Sequence, residues 1–215
     1  MRQWPDGRHA TGRLDKLFVG GAAPRHDKPI HLAPYNPDWP EWYEREATRI
    51  RTALGDRVRV LEHAGSTSVP GLSAKPVIDI ALAVADSGDE DAYVPDMVAA
   101  GYRLTIREPD WYEHRLFKGP DTNINLHTFT EGSLEIRRML AFRDRLRSHP
   151  EELAAYEAAK QELAGRTWAF VQDYADAKGM VVEAIISRAL AGEDAAARSG
   201  SSGEAPVSPK SRARS

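Results

Sequence analysis

The chain contains no cysteine. Disulfide bonds, a thiolate nucleophile and cysteine-ligated zinc are excluded together, and a reducing compartment is consistent with that absence. Long hydrophobic runs are missing too: no apolar stretch approaches the roughly 20 residues that cross a bilayer. Met1-Arg2-Gln3-Trp4-Pro5-Asp6-Gly7 lacks the apolar core of a signal peptide. Charge of one sign is also scarce. With 29 Lys and Arg against 32 Asp and Glu, the formal net charge of the 215 residues is -3, which argues against sequence-independent nucleic-acid binding. No internal repeat is visible. These absences lead us to expect a cytoplasmic protein with neither a membrane nor a nucleic-acid partner, and they set no oligomeric state.

What is present divides the chain in three. Residues 1–29 are rich in Gly, Pro, Arg and Asp and read as an irregular extension, with a short ordered piece at Leu14–Val19. Residues 192–215 carry Ser, Ala, Pro, Arg and Lys and read as a disordered tail, too poor in apolar surface to offset the entropy of ordering. Residues 30–191 form the expected domain, an α/β part over 30–132 and a helical part over 133–191.

Within that domain, Ile30–Tyr35 reads as a short strand and Asp38-Trp39-Pro40-Glu41 as a capping box. The helix that follows puts Tyr43, Ala47, Ile50 and Leu54 on one face and stops at Gly55. Strands are expected at Val58–Leu61, Val77–Val84 and Tyr102–Ile106, with a helix over Asp91–Ala100. Glu113–Lys118 and Asn123–Phe129 alternate around Gly119-Pro120-Asp121 and read as a hairpin. Leu134–Arg147 is helical, Ser148-His149-Pro150-Glu151 reads as a second capping box, and the helix beyond it carries Leu153, Tyr156, Lys160 and Leu163. A final helix carries residues from Phe170 to Leu190. The class is α+β, a sheet with interspersed helices followed by a run of helices.

The stretch Leu61 to Ile80 concentrates the chemistry. Gly65-Ser66 follows a strand, and Asp79 projects from the next one. Glycine admits a close backbone approach, and Ser66, Thr67 and Ser68 offer donors to phosphate oxygens. A nearby Asp can hold Mg²⁺ against those oxygens; a plain Gly-Ser turn is the alternative. Glu62 and His63 are adjacent, so on a strand they face opposite ways and only one can share a face with Asp79. His63 is the favoured one, a surface charge being the other reading of Glu62. Lys75 at the strand entrance can reach a triphosphate as a point charge, or be a solvated loop lysine. His127, with Asn125 beside it, can bind metal or act as a base, or be a structural histidine. Arg115 and Lys118 are three apart, so at most one points into a shared cleft. Arg143 and Arg147 share a helix face, where Arg143 can clamp phosphate or belong to a solvated surface. Tyr174 and Lys178, also four apart, can close over the sheet, or be a core tyrosine and a snorkelling lysine.

Several blocks resemble one family. Pro34-Tyr35-Asn36-Pro37-Asp38-Trp39-Pro40, Glu62-His63-Ala64-Gly65-Ser66-Thr67-Ser68-Val69-Pro70-Gly71-Leu72 and Lys75-Pro76-Val77-Ile78-Asp79-Ile80 are similar to the GrpB family, also called UPF0157. Leu126-His127, Phe142-Arg143-Asp144, Leu146-Arg147, His149-Pro150 and Tyr174-Ala175-Asp176-Ala177-Lys178 continue the resemblance in order, from about Ile30 to Leu190. The resemblance implies a fold like the nucleotidyltransferases of the DNA polymerase β superfamily, which pair a Gly-Ser loop with an acid-x-acid strand and a third acid on a later strand. This chain keeps Gly65-Ser66 and Asp79 but has Ala81 at the second acid. The implied activity moves a nucleoside monophosphate from an NTP, with Mg²⁺ or Mn²⁺, to a small-molecule acceptor. Asp79 would hold the metal, aided by Glu62, His63 or His127. Gly65 to Ser68 would grip phosphate, Lys75 and Arg143 would neutralise charge, and His127 would orient or deprotonate the acceptor. A binding module without transfer chemistry, or an acid–base or ligase-like enzyme in the same cleft, are the alternatives.

Overall fold

The computed structural model describes residues 16–21 and 28–200. Helix α1 (Trp39–Leu54) follows a two-residue strand, β1 (Lys28–Pro29). Then come β2 (Val60–Ala64), β3 (Ile78–Val84), α2 (Val94–Ala99), β4 (Arg103–Glu108), β5 (His114–Lys118) and β6 (Ile124–Thr130). The helical part holds α3 (Leu134–Ser148), α4 (Pro150–Ala164), a short strand β7 (Thr167–Trp168), α5 (Val171–Ala177) and α6 (Gly179–Gly200). Five strands make a mixed sheet in the order β2-β3-β6-β5-β4, and β1 pairs with β7 in a separate ribbon. Only β3 and β6 run parallel; every other neighbouring pair in that sheet is antiparallel. Outside β4, Phe18 bridges Ile106, and the Val19 N–H donates to the Thr105 carbonyl at 2.9 Å.

The pleat sorts the two faces. Ile78, Ile80, Leu82 and Val84 of β3 join Ile124, Leu126, Phe117 and Leu61 on one face. The α1 residues Trp39, Tyr43, Ala47, Ile50 and Leu54 cover them. Each such side chain taken out of water contributes about 1.5–3 kcal/mol. One charge is carried into this layer: the fully buried Glu46 carboxylate accepts from the Tyr102 hydroxyl at 2.6 Å and pairs with Arg49 at 3.2 Å. The opposite face holds Asp79, Ala81 and Ala83 of β3. Part of it is covered where Ile136 of α3 packs on Ala83 and Phe129. Beside it, Phe142, Leu146, Tyr156, Val182, Ile185 and Ile186 join α3, α4 and α6 under Val69 and Leu72 of the β2–β3 loop.

Some local expectations shift. Ile30–Tyr35 is not a strand; Ala33 alone bridges Ala74, and Pro34 has no N–H to extend a ladder. Asp38 makes no side-chain cap; its own N–H donates to the Asn36 side chain at 2.9 Å. The strand expected at Val58–Leu61 begins at Val60 and carries Glu62 and His63 within it. The helix expected from Asp91 starts at Val94, because Pro95 is tolerated only in a first turn. Ser148 caps nothing: it ends α3, and its hydroxyl donates to the Asp144 carbonyl at 2.7 Å. The final helix is two, α5 and α6, broken at Lys178, with Phe170 before the first. Helix α6 also continues past Gly192 to Gly200, held where Arg137 of α3 pairs with Glu193 and Asp194, both at 3.0 Å. The expectations for residues 1–15, 22–27 and 201–215, Leu14 and Asp15 included, lie outside the described residues.

Candidate functional site

The register places Asp79 between Ala64 of β2 and Asn125 of β6, and Ala81 between Glu62 and His127. Leu116 of β5 faces His127, so His114 and Lys118, two residues either way, share that face. The polar face therefore carries Glu62, Asp79, Asn125, His127, His114 and Lys118. Asp79, Asn125, His127 and Lys118 are half-buried, as the floor of an open cleft would be.

The β2–β3 turn lies directly on Asp79. Gly65 has φ +67°, and a Cβ built there would stand 2.3 Å from Asp79 Oδ2. No other residue type fits that space and conformation. The following hydroxyls mostly tie the turn together. Thr67 donates to the Val77 carbonyl at 3.2 Å, and Ser68 donates to the Gly65 carbonyl at 2.6 Å. Both are buried, so they shape the loop instead of facing a ligand. Ser66 is half-buried and adjoins the Tyr156 hydroxyl.

Asp79 is the single carboxylate at the centre. Its Oδ1 accepts from Asn125 Nδ2 at 2.8 Å and lies 3.7 Å from His127 Nε2. Asn125 Oδ1 accepts in turn from Lys118 Nζ. Burial pushes the Asp79 carboxyl up, but the His127 contact, the Asn125 hydrogen bond and the Lys75 charge outweigh it, so the carboxyl is held below its usual range. Lys75, Lys118 and Lys178 each feel the Asp79 charge, and burial lowers all three ammonium groups. They come from the β2–β3 loop, from β5 and from the α5–α6 junction, so three distant segments deliver positive charge to one acid. Lys178 also lies 4.4 Å over the Tyr174 ring, while the buried Tyr174 hydroxyl has no hydrogen-bond partner. Tyr174 is thus a core tyrosine packed with Ile30 and Ala164, and Lys178 lies over its ring within reach of the Asp79 charge.

Other expected members stand elsewhere. His63 is on the core face, stacked on Tyr43 at 5.0 Å and 3.0 Å from the Thr67 hydroxyl. Burial pushes its imidazole down to about 4, and it cannot join Asp79 in a ligand set. Glu62 is on the correct face, but Arg143 holds it at 2.8 Å. Arg143 also pairs with Asp144 at 2.7 Å and donates to the His63 carbonyl, so it fastens β2 to α3 and does not clamp a phosphate. Arg147 similarly donates to the Ser68 carbonyl at 2.7 Å. Arg115 points to the other side of the sheet, where Glu90 at 2.6 Å and Glu113 at 3.3 Å neutralise it. Among the described residues no group of three His, Asp or Glu side chains is placed to hold a metal ion. Nor is any helix among them long and apolar enough to cross a membrane.

Three residues of the site escaped the sequence reading. His114 Nε2 lies 3.2 Å from His127 Nδ1, and His114 Nδ1 lies 2.8 Å from Glu108 Oε2. The signal was the four-residue spacing of His114 and Lys118, which puts both on one face of a strand whose Leu116 pairs with His127. Lys160 of α4 is buried beside the cleft, donates to the Ser73 carbonyl and is pushed down to about 7 by burial and by the Lys178 charge.

Comparison with known proteins gives a consistent neighbourhood. A family model described as GrpB protein matches residues 29–188. The UPF0157 protein of Halalkalibacterium halodurans is 52% identical over 195 residues, covering 89% of this chain and 100% of that protein. A structure described as the crystal structure of conserved protein GrpB from Enterococcus faecalis is similar at a TM-score of 0.67 and 31% identity, covering 76% of this chain and 99% of that one. A Mycolicibacterium paratuberculosis protein named dephospho-CoA kinase is 29% identical over 176 residues, which is 70% of this chain and 43% of that longer protein.

Proposed function

The chain belongs to the GrpB family, and on that premise we propose that its cleft binds a nucleoside triphosphate and transfers the nucleotidyl group to a small-molecule acceptor. The observation that carries the reading is the convergence of Lys75, Lys118 and Lys178 on the lone carboxylate of Asp79. Three cations around one acid complement a polyanion such as a triphosphate. A Gly-Ser turn closing over an acid on the next strand supports a nucleotidyltransferase-like fold as part of the same proposal. The relative named dephospho-CoA kinase is consistent with a nucleotide ligand.

The donor set fits Mg²⁺ or Mn²⁺ carried by the triphosphate, and does not fit an ion held by the protein alone. Asp79, with His127 beside it, is what the chain offers, Ala81 offers nothing, and phosphate oxygens would complete the shell. When bound, such an ion neutralises phosphate charge as the reaction proceeds. The lysines position and neutralise the phosphate chain. His127 takes the proton of the acceptor hydroxyl at Nε2 as the acceptor oxygen bonds to the α-phosphorus. The bond from that phosphorus to pyrophosphate breaks, and pyrophosphate leaves. The resulting imidazolium is stabilised by Asp79 at 3.7 Å.

The test is to incubate the protein with each NTP, Mg²⁺ or Mn²⁺ and a pool of small hydroxylated metabolites, and to follow pyrophosphate. Metal-dependent release is expected, abolished by Asp79→Asn and lowered about 10²–10⁴-fold by His127→Ala. Ala81, and the lack of a three-ligand cluster among the described residues, favour a second reading: a module that binds the nucleotide without turnover. Tight NTP binding without pyrophosphate across a wide acceptor set would select that module, and binding of neither NTP nor metal would overturn both.

A further inference from the structure

A nucleoside triphosphate is a linear ligand, so the end of the cleft that takes its phosphates fixes the end that takes its base. The strand register gives the direction. Lys75 precedes β3, Lys178 is near enough to Lys75 for their charges to oppose, and Lys118 lies against Asn125 at the start of β6. Asp79 and His127 come next along β3 and β6, and Phe129 of β6 and His114 of β5 lie beyond them. Lys118 and His114 stand four residues apart on one strand face, about 13 Å by strand rise. The cations therefore mark one end of the polar face, and His114 with Phe129 marks the other.

That far end is aromatic. The His127, His114 and Phe129 rings form a layer, with successive centroids 5.3 Å and 4.8 Å apart and interplanar angles of 20° and 27°. Trp111 stands across the layer, 5.2 Å from His114 at 82° and 5.9 Å from Phe129 at 72°. Tyr112 adjoins it at 5.6 Å. His114 and Phe129 are buried, but Trp111 is half-buried and Tyr112 is 42% exposed, so ring surface is left open. Val60, Met139 and Leu140, packed around Phe129 with Trp111, continue the apolar character of this end. The turn that presents the two rings has an unfavourable backbone. Tyr112 and Glu113 have φ of 54° and 51°, the left-handed region that residues with side chains rarely adopt. Four hydrogen bonds hold it there. The Trp111 N–H donates to the Glu108 carbonyl at 3.1 Å, and the His114 N–H donates to the Trp111 carbonyl at 3.0 Å. The Glu113 carbonyl accepts from the Ser87 hydroxyl and from Arg115 Nη1, both at 2.9 Å. Backbone strain that the surroundings over-determine in this way clusters at ligand sites.

We infer that Trp111 and Tyr112 form a subsite for the nucleobase, stacking its ring at the end of the cleft opposite Lys75 and Lys118. The identity of the ring rests on the triphosphate reading: a base joined to phosphates held at the lysines must pass Asp79 and reach this end. Every base has a π-face, so stacking here separates a nucleotide from a bare polyphosphate and discriminates only modestly among the bases.

The experiment measures dissociation constants by calorimetry, with Mg²⁺ and without an acceptor, for the NTPs, the matching nucleosides and inorganic tripolyphosphate. It compares the full chain with Trp111→Ala, Trp111→Phe and Tyr112→Ala. Trp111→Ala should weaken NTP and nucleoside binding about 10- to 100-fold and leave tripolyphosphate binding unchanged. Trp111→Phe keeps a ring and should recover most of the loss. NTPs should also quench tryptophan fluorescence in the wild type, tripolyphosphate should not, and Trp111→Phe should abolish the quench. Equal NTP affinity in wild type and Trp111→Ala would overturn the subsite and leave the phosphate site standing. Nucleosides bound through Trp111, with tripolyphosphate not bound, would sink the triphosphate reading and leave the subsite standing. Binding of none of the three ligands would overturn both. Tyr112 is exposed, so Tyr112→Ala keeps the fold and should weaken NTP binding about 5- to 10-fold. If Trp111→Ala does not fold, unchanged affinity in Tyr112→Ala together with an unchanged quench in Trp111→Phe overturns the subsite.

Discussion

Replacing Gly65 with alanine puts a methyl group where Asp79 already stands. The new Cβ would lie 2.3 Å from Asp79 Oδ2 and 2.9 Å from both Asp79 Cβ and Cγ, at a backbone of φ 67° and ψ -169°. Two costs follow. A side chain in that Gly-favouring region costs of order 1–3 kcal/mol. Overpacking against a strand that cannot retreat adds roughly another 1–3 kcal/mol. Gly65→Ala should therefore destabilise the protein by about 2–6 kcal/mol, and for a domain of this size each kcal/mol lowers Tm by about 2–4 °C. A double-mutant cycle with Asp79→Gly separates the terms, because that change removes all three atoms the methyl group meets. The backbone cost should persist in the Asp79→Gly background, while the collision cost of about 1–3 kcal/mol should vanish as a coupling energy. Thermal and urea unfolding of the four proteins measure it. Equal costs of Gly65→Ala in both backgrounds would show that the turn does not rest on Asp79, and the description of the site would fail with it.

Two further outcomes concern buried bases. His63 and His114 are pushed from 6.5 down to about 4 by burial. Their folded pKa lies below the unfolded one, so the stability they carry is complete above pH 6.5 and is lost as pH falls toward 4. Each should cost about 2 kcal/mol between pH 7 and pH 5 at 1.36 kcal/mol per unit. Urea midpoints that stay constant over that range would reject the burial of these neutral rings. Lys160 is pushed from 10.5 down to about 7, so the unfolded chain holds its proton more tightly and wild-type stability should rise with pH above 7. Relative to Lys160→Met, which lacks this group, wild type should gain about 2 kcal/mol between pH 7.5 and 9; parallel curves would show that the lysine is solvated.

Much of the layout was legible because apolar periodicity survives in this chain. Tyr43, Ala47, Ile50 and Leu54 do share the buried face of α1, and Asp79 is conspicuous as the one acid in an otherwise apolar β3. The opposition of Arg115 and Lys118 also held, with Lys118 in the cleft and Arg115 beyond the sheet. What failed were choices that only three-dimensional pairing makes. Nothing local distinguishes Arg143, which holds Glu62, from an arginine that faces a phosphate. The strand bearing Glu62 and His63 was correctly read as splitting them, but the assignment between faces went the wrong way, since it depends on whether β2 lays Glu62 or His63 beside Ala81. Glu108 and His114 became visible only once β4, β5 and β6 were in register. The break at Lys178 divides two segments that share one apolar period, and Gly179, a weak helix former, was its one local mark.

The contact between Phe18 and Ile106 has a consequence for handling the protein. Strand β4 is the last in its sheet, and an outermost strand exposes unpaired N–H and C=O groups that another chain can adopt as a template. Residues 18 and 19 occupy part of that ladder from within the same molecule. They precede residues 29–188, the span the family model matches. Trimming the chain to the matched span would keep every residue of the cleft and strip the guard from the sheet margin, exchanging an internal bridge for concentration-dependent self-association.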